Sequence, residues 1–552
     1  MKLSGAHIVL ECLKEQGVDT IFGYPGGAVI PLYDALYDNK DHFLHVRTSH
    51  EQGAAHAADG YARSSGKVGV CIATSGPGAT NTVTGIATAY MDSIPLVVIT
   101  GQVASGLLGK DSFQEVDITG ITLPITKHSY CIKDVNKIAG AVREAFVIAA
   151  SGRPGPVLVD ITKDALMAKG YYEKQEKLGK QPVGELLDTK SCIEAAKLIN
   201  SAQRPVIYAG GGVSYSNAVS QLYQLAVKGD IPVVNTLMGL GNFPRTNSLS
   251  LGLVGMHGLP ESNMAVTNSD LVIAVGTRFS DRVIGAVNAF APKAKLMHID
   301  IDRGEIGKNK AVEMAILGDV GEILFYLTDH VIKKDRKDWH REIDCWRHPF
   351  QSDDQKMHPK EILDCAWEKL KGNAIVTTEV GQHQMWTAQH WKFETPRTFI
   401  TSGGLGTMGF GLGAAIGAQI ANPDRRILHI AGDGSFRMNC NELATVATYK
   451  LPIITLLFNN QSLGMVRQWQ HLFHSSRYSE TDIQDDVDYM KLVEAYGLRG
   501  RKVDNIKEFE SALEEALEDG KGMIIECMLH QDENVYPIVP PGQPIHQYIM
   551  ES

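Results

Sequence analysis

The 552 residues are too many for one hydrophobic core, and a chain of this length predicts about three or four domains. Apolar residues at 44% and charged residues at 21% fit an ordinary soluble globular protein. A formal net charge of −10 without basic clusters argues against nucleic-acid binding, and no apolar run approaches the ~18 residues of a membrane span.

At the amino terminus, Ser4-Gly5-Ala6-His7-Ile8-Val9-Leu10 predicts a helix that begins at once. That leaves no room for a signal or transit peptide and points to a cytoplasmic protein. The cysteines at 12, 71, 131, 192, 345, 365, 440 and 527 form no CxxC pair and read as buried, reduced thiols. Strand-like and helix-like segments alternate along the whole chain, so the fold class is α/β, with doubly wound parallel sheets covered by helices. Polar, charged stretches at Tyr172–Lys180 and Lys333–His358 mark two boundaries, the second ending where Pro359 opens a helix. Three domains result, near 1–168, 188–330 and 358–530, with a tail at 531–552.

The first and third domains read as distant copies. In the first, Val68–Ala73 leads into Ser75-Gly76-Pro77-Gly78, a helix containing Ala87–Tyr90, and then Ile94–Ile99. In the third, Ile427–Ala431 leads into Gly432-Asp433-Gly434, then Val446–Tyr449, then Leu451–Phe458. Only the third carries a carboxylate in its glycine turn. Asp433 and Asn460 each follow a predicted parallel strand, at the sheet edge where open α/β folds bind ligands. A hard cation such as Mg2+ takes a few protein oxygens and completes its shell with water or phosphate oxygens. The glycines permit close backbone approach to a diphosphate, and Ser435 onward reads as a helix start that favours anions.

The run Gly432-Asp433-Gly434-Ser435 with Asn459-Asn460 resembles the diphosphate–Mg2+ motif of thiamine-diphosphate (ThDP) enzymes. His50-Glu51-Gln52-Gly53-Ala54-Ala55-His56-Ala57-Ala58-Asp59-Gly60-Tyr61-Ala62-Arg63 resembles their activating signature. The likeness extends over nearly the whole chain to the biosynthetic, FAD-containing acetohydroxyacid synthase (acetolactate synthase) catalytic subunits. It includes Phe22–Ala28, Asp111–Glu115, Ile125–His128, Gly152–Val157, Val275–Val283 and Val535–Gly542.

The resemblance implies ThDP, Mg2+ and FAD as cofactors. Glu51 would hydrogen-bond the aminopyrimidine and drive its imino tautomer, which takes the thiazolium C2 proton. Met408 would wedge between the two rings and keep the cofactor bent. The metal ligands would be Asp433, Asn460 and the carbonyl of Ser462. The rest of ThDP would lie against Tyr24, Pro25, Gly26, Val380, Gly381, Gln382, His383, Gly406, Gly432, Gly434, Ser435, Leu463, Gly464 and Met465. FAD would be structural and lie against Arg153, Gly211, Gly212, Thr236, Leu237, Met256, His257, Gly276, Arg278, Asp281, Arg282, Val283, Asp300, Ile301, Asp319 and Val320. Arg282 would engage the second substrate's carboxylate, as a planar bidentate cation can. Trp469 would line that acceptor pocket, with Gly27 and Gln114 as further walls.

The reaction implied is decarboxylation of pyruvate and carboligation to pyruvate or 2-ketobutyrate, in a homodimer or larger homo-oligomer with active sites at the subunit interface. A separate regulatory small subunit is a further implied partner. Two positions depart from the family, which usually has an aspartate at Ser280 and often a proline at Gly413. A flavin-free catabolic acetolactate synthase and a flavin-using pyruvate oxidase are the alternatives, the first lacking the phrase around Arg282.

Overall fold

The computed structural model describes residues 1–176, 187–348, 357–483 and 487–550. Both expected boundaries therefore fall partly outside the described residues, at 177–186 and 349–356. Within the second, the described part carries the helix Lys337–Asp344, whose Trp339 indole donates to the Pro205 carbonyl at 3.2 Å.

Three six-stranded sheets form the scaffold, and every strand pairing within them is parallel. Central strands such as Gly69–Ala73, Leu271–Val275 and Ile454–Asn459 are buried along their whole length, as helices on both faces require. Counting strands along the chain within each sheet, the first and third share the order 2-1-3-4-6-5. The middle sheet runs 3-2-1-4-5-6, the order of dinucleotide-binding folds. Ser4 caps the first helix, Gly5–Glu15, by accepting the His7 amide at 3.3 Å.

The outer lobes meet through the helices Glu51–Ser65 and Gly411–Ala421, each of which precedes the third strand of its own sheet. Their backbones touch: a methyl at Gly60 would lie 2.6 Å from Ala414 Cα. Beside this seam, buried Arg63 donates to Asp59 (2.5 Å), Asp92 (2.9 Å) and the Thr401 carbonyl (2.9 Å), satisfying both carboxylates at once.

Three local expectations are corrected. The strand expected from Leu451 starts at Ile454, since Pro452 has no N–H for a central ladder. The helix expected from Ser435 begins at Asp433 and ends at Phe436. All eight cysteines are free, but Cys131 and Cys345 are exposed and Cys365 and Cys440 half-buried, leaving Cys12, Cys71, Cys192 and Cys527 in the core. No helix among the described residues is long and apolar enough to cross a membrane.

Candidate active site

The third strand of the carboxy-terminal sheet, Arg426–Gly432, delivers Asp433 directly into a short helix, and the adjacent strand ends at Asn459. Asp433, Asn460 and Ser462 therefore converge at the sheet's carboxyl edge, all buried. Asn460 accepts the Ser462 amide at 3.2 Å and donates to Gln382 Oε1 at 3.1 Å, which aims its amide oxygen. A strap across the loop fixes it further, because Ser462 pairs with Asp482 and the Leu463 amide donates to the Thr481 carbonyl at 2.8 Å. Burial pushes the Asp433 carboxyl up to about 7, a penalty that a bound cation would remove.

A small cavity of about 90 Å³ is lined by Val380–His383, Met408, Gly432–Ser435, Asn460 and Ser462–Val466. Its walls admit no extra methyl: one on Gly432 would lie 2.7 Å from His383 Nδ1, and one on Gly464 2.7 Å from Asn460 Nδ2. His383 Nε2 is buried without a hydrogen-bond partner, and burial lowers this imidazole to about 4. A buried polar atom left unpaired beside a glycine cradle fits a diphosphate acceptor. Among the described residues no group of three or more His, Cys, Asp or Glu could hold a metal. The Asp433, Asn460 and Ser462 oxygens suit a hard cation that shares phosphate oxygens, as Mg2+ does.

Glu51 opens its helix in the amino-terminal lobe and accepts from Asn81 Nδ2 at 2.9 Å. It lines neither this cavity nor the larger one described next, and the same is true of Tyr24, Pro25, Gly26, Gly27 and Gln114.

The larger cavity, about 1770 Å³, lies where the middle sheet meets both lobes. From the middle domain come Gly211, Gly212, Thr236, Leu237, Met256, His257, Gly276, Arg278, Asp281, Arg282, Val283, Asp300, Ile301, Asp319 and Val320, joined by Arg153 and Gly406. Here too the glycines are needed for close approach: a methyl on Gly212 would lie 2.6 Å from Gly276 Cα, and Gly276 has φ +58°. Asp319 Oδ1 already accepts the Gly321 and Glu322 amides at 2.8 and 3.2 Å, so this carboxylate caps its helix as well as facing the cavity. The volume and glycine-lined strand ends fit a dinucleotide such as FAD.

The chain matches three family models: the thiamine pyrophosphate enzyme amino-terminal TPP-binding domain over residues 3–121, the central domain over 192–327, and the carboxy-terminal TPP-binding domain over 379–527. It is 46% identical to the probable acetolactate synthase large subunit of Methanocaldococcus jannaschii, covering 98% of this chain and 94% of that protein. It is also 46% identical to the acetolactate synthase large subunit of Parasynechococcus marenigrum, over 98% and 90% of the two chains. With acetolactate synthase isozyme 2 large subunit of Escherichia coli it shares 45% identity over 98% of each. The chain belongs to the acetolactate synthase large-subunit family of thiamine pyrophosphate enzymes.

Within this acetolactate synthase scaffold the two cavities share Val380, Gly381 and Met465 as a common wall. Beside it the Arg282 guanidinium sits 5.7 Å over the Trp469 ring, and among the described residues its one ion pair is a 3.8 Å approach to exposed Asp281. Arg282 is 61% exposed on its side chain, so its fork is open to a carboxylate. Ser280, one of the two family departures, caps the helix Asp281–Ile284 by accepting the Arg282 amide at 3.4 Å. Gly413, the other, faces the partner helix, and a methyl there would lie 2.8 Å from His56 Cβ.

Sequence reading missed three buried carboxylates that hold the loops of the site. Asp92 accepts the Gly403 and Gly404 amides at 3.0 and 2.7 Å, at the start of the loop carrying Met408. Glu379 accepts the Gly409 and Leu412 amides at 2.6 and 3.1 Å, where that loop enters its helix. Glu442 accepts the Ser49 and His50 amides beside Glu51. Glu379 adjoins the Val380–His383 phrase, whereas Asp92 and Glu442 sit in no phrase with chemical character; all three act on backbone amides of distant segments.

Proposed function

We propose that this chain is an acetolactate synthase catalytic subunit. With ThDP it decarboxylates pyruvate and joins the two-carbon unit to pyruvate or 2-ketobutyrate. The products are 2-acetolactate or 2-aceto-2-hydroxybutyrate, the branched carbon skeletons that lead to valine, isoleucine and leucine. The observation that carries the reading is the shared wall of the two cavities, with Arg282 and Trp469 beside a buried anion cradle.

ThDP, when bound, supplies the electron sink for decarboxylation and carbon–carbon bond formation. The protein's part is binding, orientation and proton handling. His383 and the amides around Gly432–Ser435 and Gly464 hold the diphosphate, and Asp433, Asn460 and the Ser462 carbonyl hold Mg2+. Met408 lines the cradle and would orient a cofactor held there. Glu51 shares a proton with the aminopyrimidine. Arg282 binds the carboxylate of the second keto acid, and Trp469 lines the space beside it, where one methyl group is worth only ~1–3 kcal/mol of discrimination. FAD occupies the larger cavity as a structural group, since the net reaction transfers no electrons.

Glu51, Gly27 and Gln114 line neither cavity, so we assign them to a site that a second copy of the chain completes. Phe113, 88% exposed next to Gln114, is an apolar surface that such an interface would cover. A regulatory small subunit and a cytoplasmic location complete the proposal. The test is acetolactate formation from pyruvate with ThDP, Mg2+ and FAD omitted in turn. Activity should vanish without each, and oxygen uptake in place of acetolactate would overturn the reading.

A further inference from the structure

We propose that Glu442 is a positioning residue for Glu51, a carboxylate from the opposite lobe that fixes the backbone entering the Glu51 helix. The inference rests on the reading above, in which Glu51 shares a proton with the cofactor.

The first amides at a helix start have no partner within the helix. Here His50 Nδ1 accepts the Gln52 amide at 3.1 Å, and the Ser49 and His50 amides, just ahead of the helix, are taken by Glu442. Its Oε1 accepts Ser49 N at 3.2 Å and His50 N at 3.0 Å, and its Oε2 accepts Ser49 N at 3.1 Å. Thr445 Oγ1 donates to Oε2 at 2.6 Å from the other side, so the carboxylate is held as well as holding. Glu442 has 0% exposure. Burial raises its carboxyl, and the hydrogen bonds from Thr445, Ser49 and His50 oppose that rise.

Shape supports the assignment. A methyl on Gly53, in the first turn of the Glu51 helix, would lie 2.5 Å from Glu442 Cδ. The contact therefore requires glycine there, although φ at that position is ordinary for a helix. The same device recurs at the other helix of the seam. Glu379 holds the Gly409 and Leu412 amides where the Met408 loop enters Gly411–Ala421, and accepts Ser435 Oγ at 3.1 Å. Both segments that carry chemistry are thus tied through their backbones to a buried glutamate. Glu442 follows the Gly432–Ser435 turn by a few residues, so the carboxylate that holds the Glu51 segment comes from the lobe that also carries a cradle. Only a carboxylate offers acceptors on both oxygens; an amide must present one side as a donor.

The experiment uses the ThDP- and Mg2+-loaded protein and two readouts. One is exchange of the C2 proton of bound ThDP in D2O, quenched in acid; the other is ThDP affinity. Glu442→Gln should slow exchange by about tenfold or more while affinity changes less than about threefold. Gly53→Ala, which displaces Glu442 without altering a titratable group, should slow exchange in the same sense. Exchange within about twofold of the parent in folded Glu442→Gln would overturn the proposal. If that variant does not fold, Gly53→Ala decides by the same criterion. Glu51→Gln runs in parallel. Parent-like exchange in Glu51→Gln means the reading of the site has failed, whereas its loss alongside parent-like Glu442→Gln and Gly53→Ala means only the positioning role has.

Discussion

The first and third sheets have the same strand order, 2-1-3-4-6-5, yet the glycine turns after their third strands serve different ends. In the carboxy-terminal lobe the turn is Gly432-Asp433-Gly434, and Asp433 faces the cradle with Asn460 and Ser462. In the amino-terminal lobe it is Gly76-Pro77-Gly78, where Pro77 takes the position of the carboxylate and opens the helix Pro77–Asn81. A methyl on Gly78 would lie 3.2 Å from Glu51 Oε1, and Asn81 from the same helix donates to Glu51. Common topology places both turns at a sheet edge. One residue then decides whether the edge receives a cation or buttresses an acid.

That contrast can be broken in several ways. The largest effect is expected from the amino-terminal lobe: Glu51→Gln should lower turnover by ~10³-fold with the fold retained, checked by steady-state assay and circular dichroism. In the other lobe Asp433→Ala should raise the Mg2+ needed for half-maximal activity by about 100-fold, and unchanged Mg2+ dependence would contradict the ligand assignment. Arg282→Ala, between the lobes, should raise the KM for the second keto acid by about 10–100-fold, with ThDP affinity unaltered.

The smallest effect concerns stability. Burial pushes the Asp160 carboxyl up to about 6, against hydrogen bonds from Thr100 (2.7 Å) and Gln102 (3.0 Å). Its folded value is raised above the ordinary carboxylate range of about 4, so the neutral form favours folding. Asp160 therefore contributes most below pH ~4, and that contribution is lost as pH rises to about 6. The variant Asp160→Asn should gain thermal midpoint relative to the parent on going from pH 4 to pH 7, as differential melts would show.

Much of this architecture was legible in the sequence because its signals are local. Buried parallel strands read as continuous apolar runs, as at Leu96–Ile99, and the paired glycine turns exposed the likeness of the outer lobes. Asp433 and Asn460 stood out because the Gly-Asp-Gly turn follows one apolar strand and an Asn pair ends the next. Glu442, Glu379 and Asp92 escaped because they act on the backbone of distant segments, and backbone amides carry no residue identity. The strap at Thr481–Ile483 was equally hidden, since its pairing with Gln461–Leu463 depends on a long-range register.

The backbone-to-backbone seam between Glu51–Ser65 and Gly411–Ala421 has a consequence for anyone hardening this enzyme against heat. Exchanging helical glycine for alanine commonly raises stability by ~0.4–1 kcal/mol. Along this seam the sign reverses. Alanine at Gly60 would meet Ala414 Cα at 2.6 Å, and at Gly417 it would meet the Ala57 carbonyl carbon at 2.7 Å, wedging the lobes apart. Consensus-style tightening should therefore spare these helices and work at solvent-facing glycines such as Gly140, where an added methyl meets nothing within 4 Å.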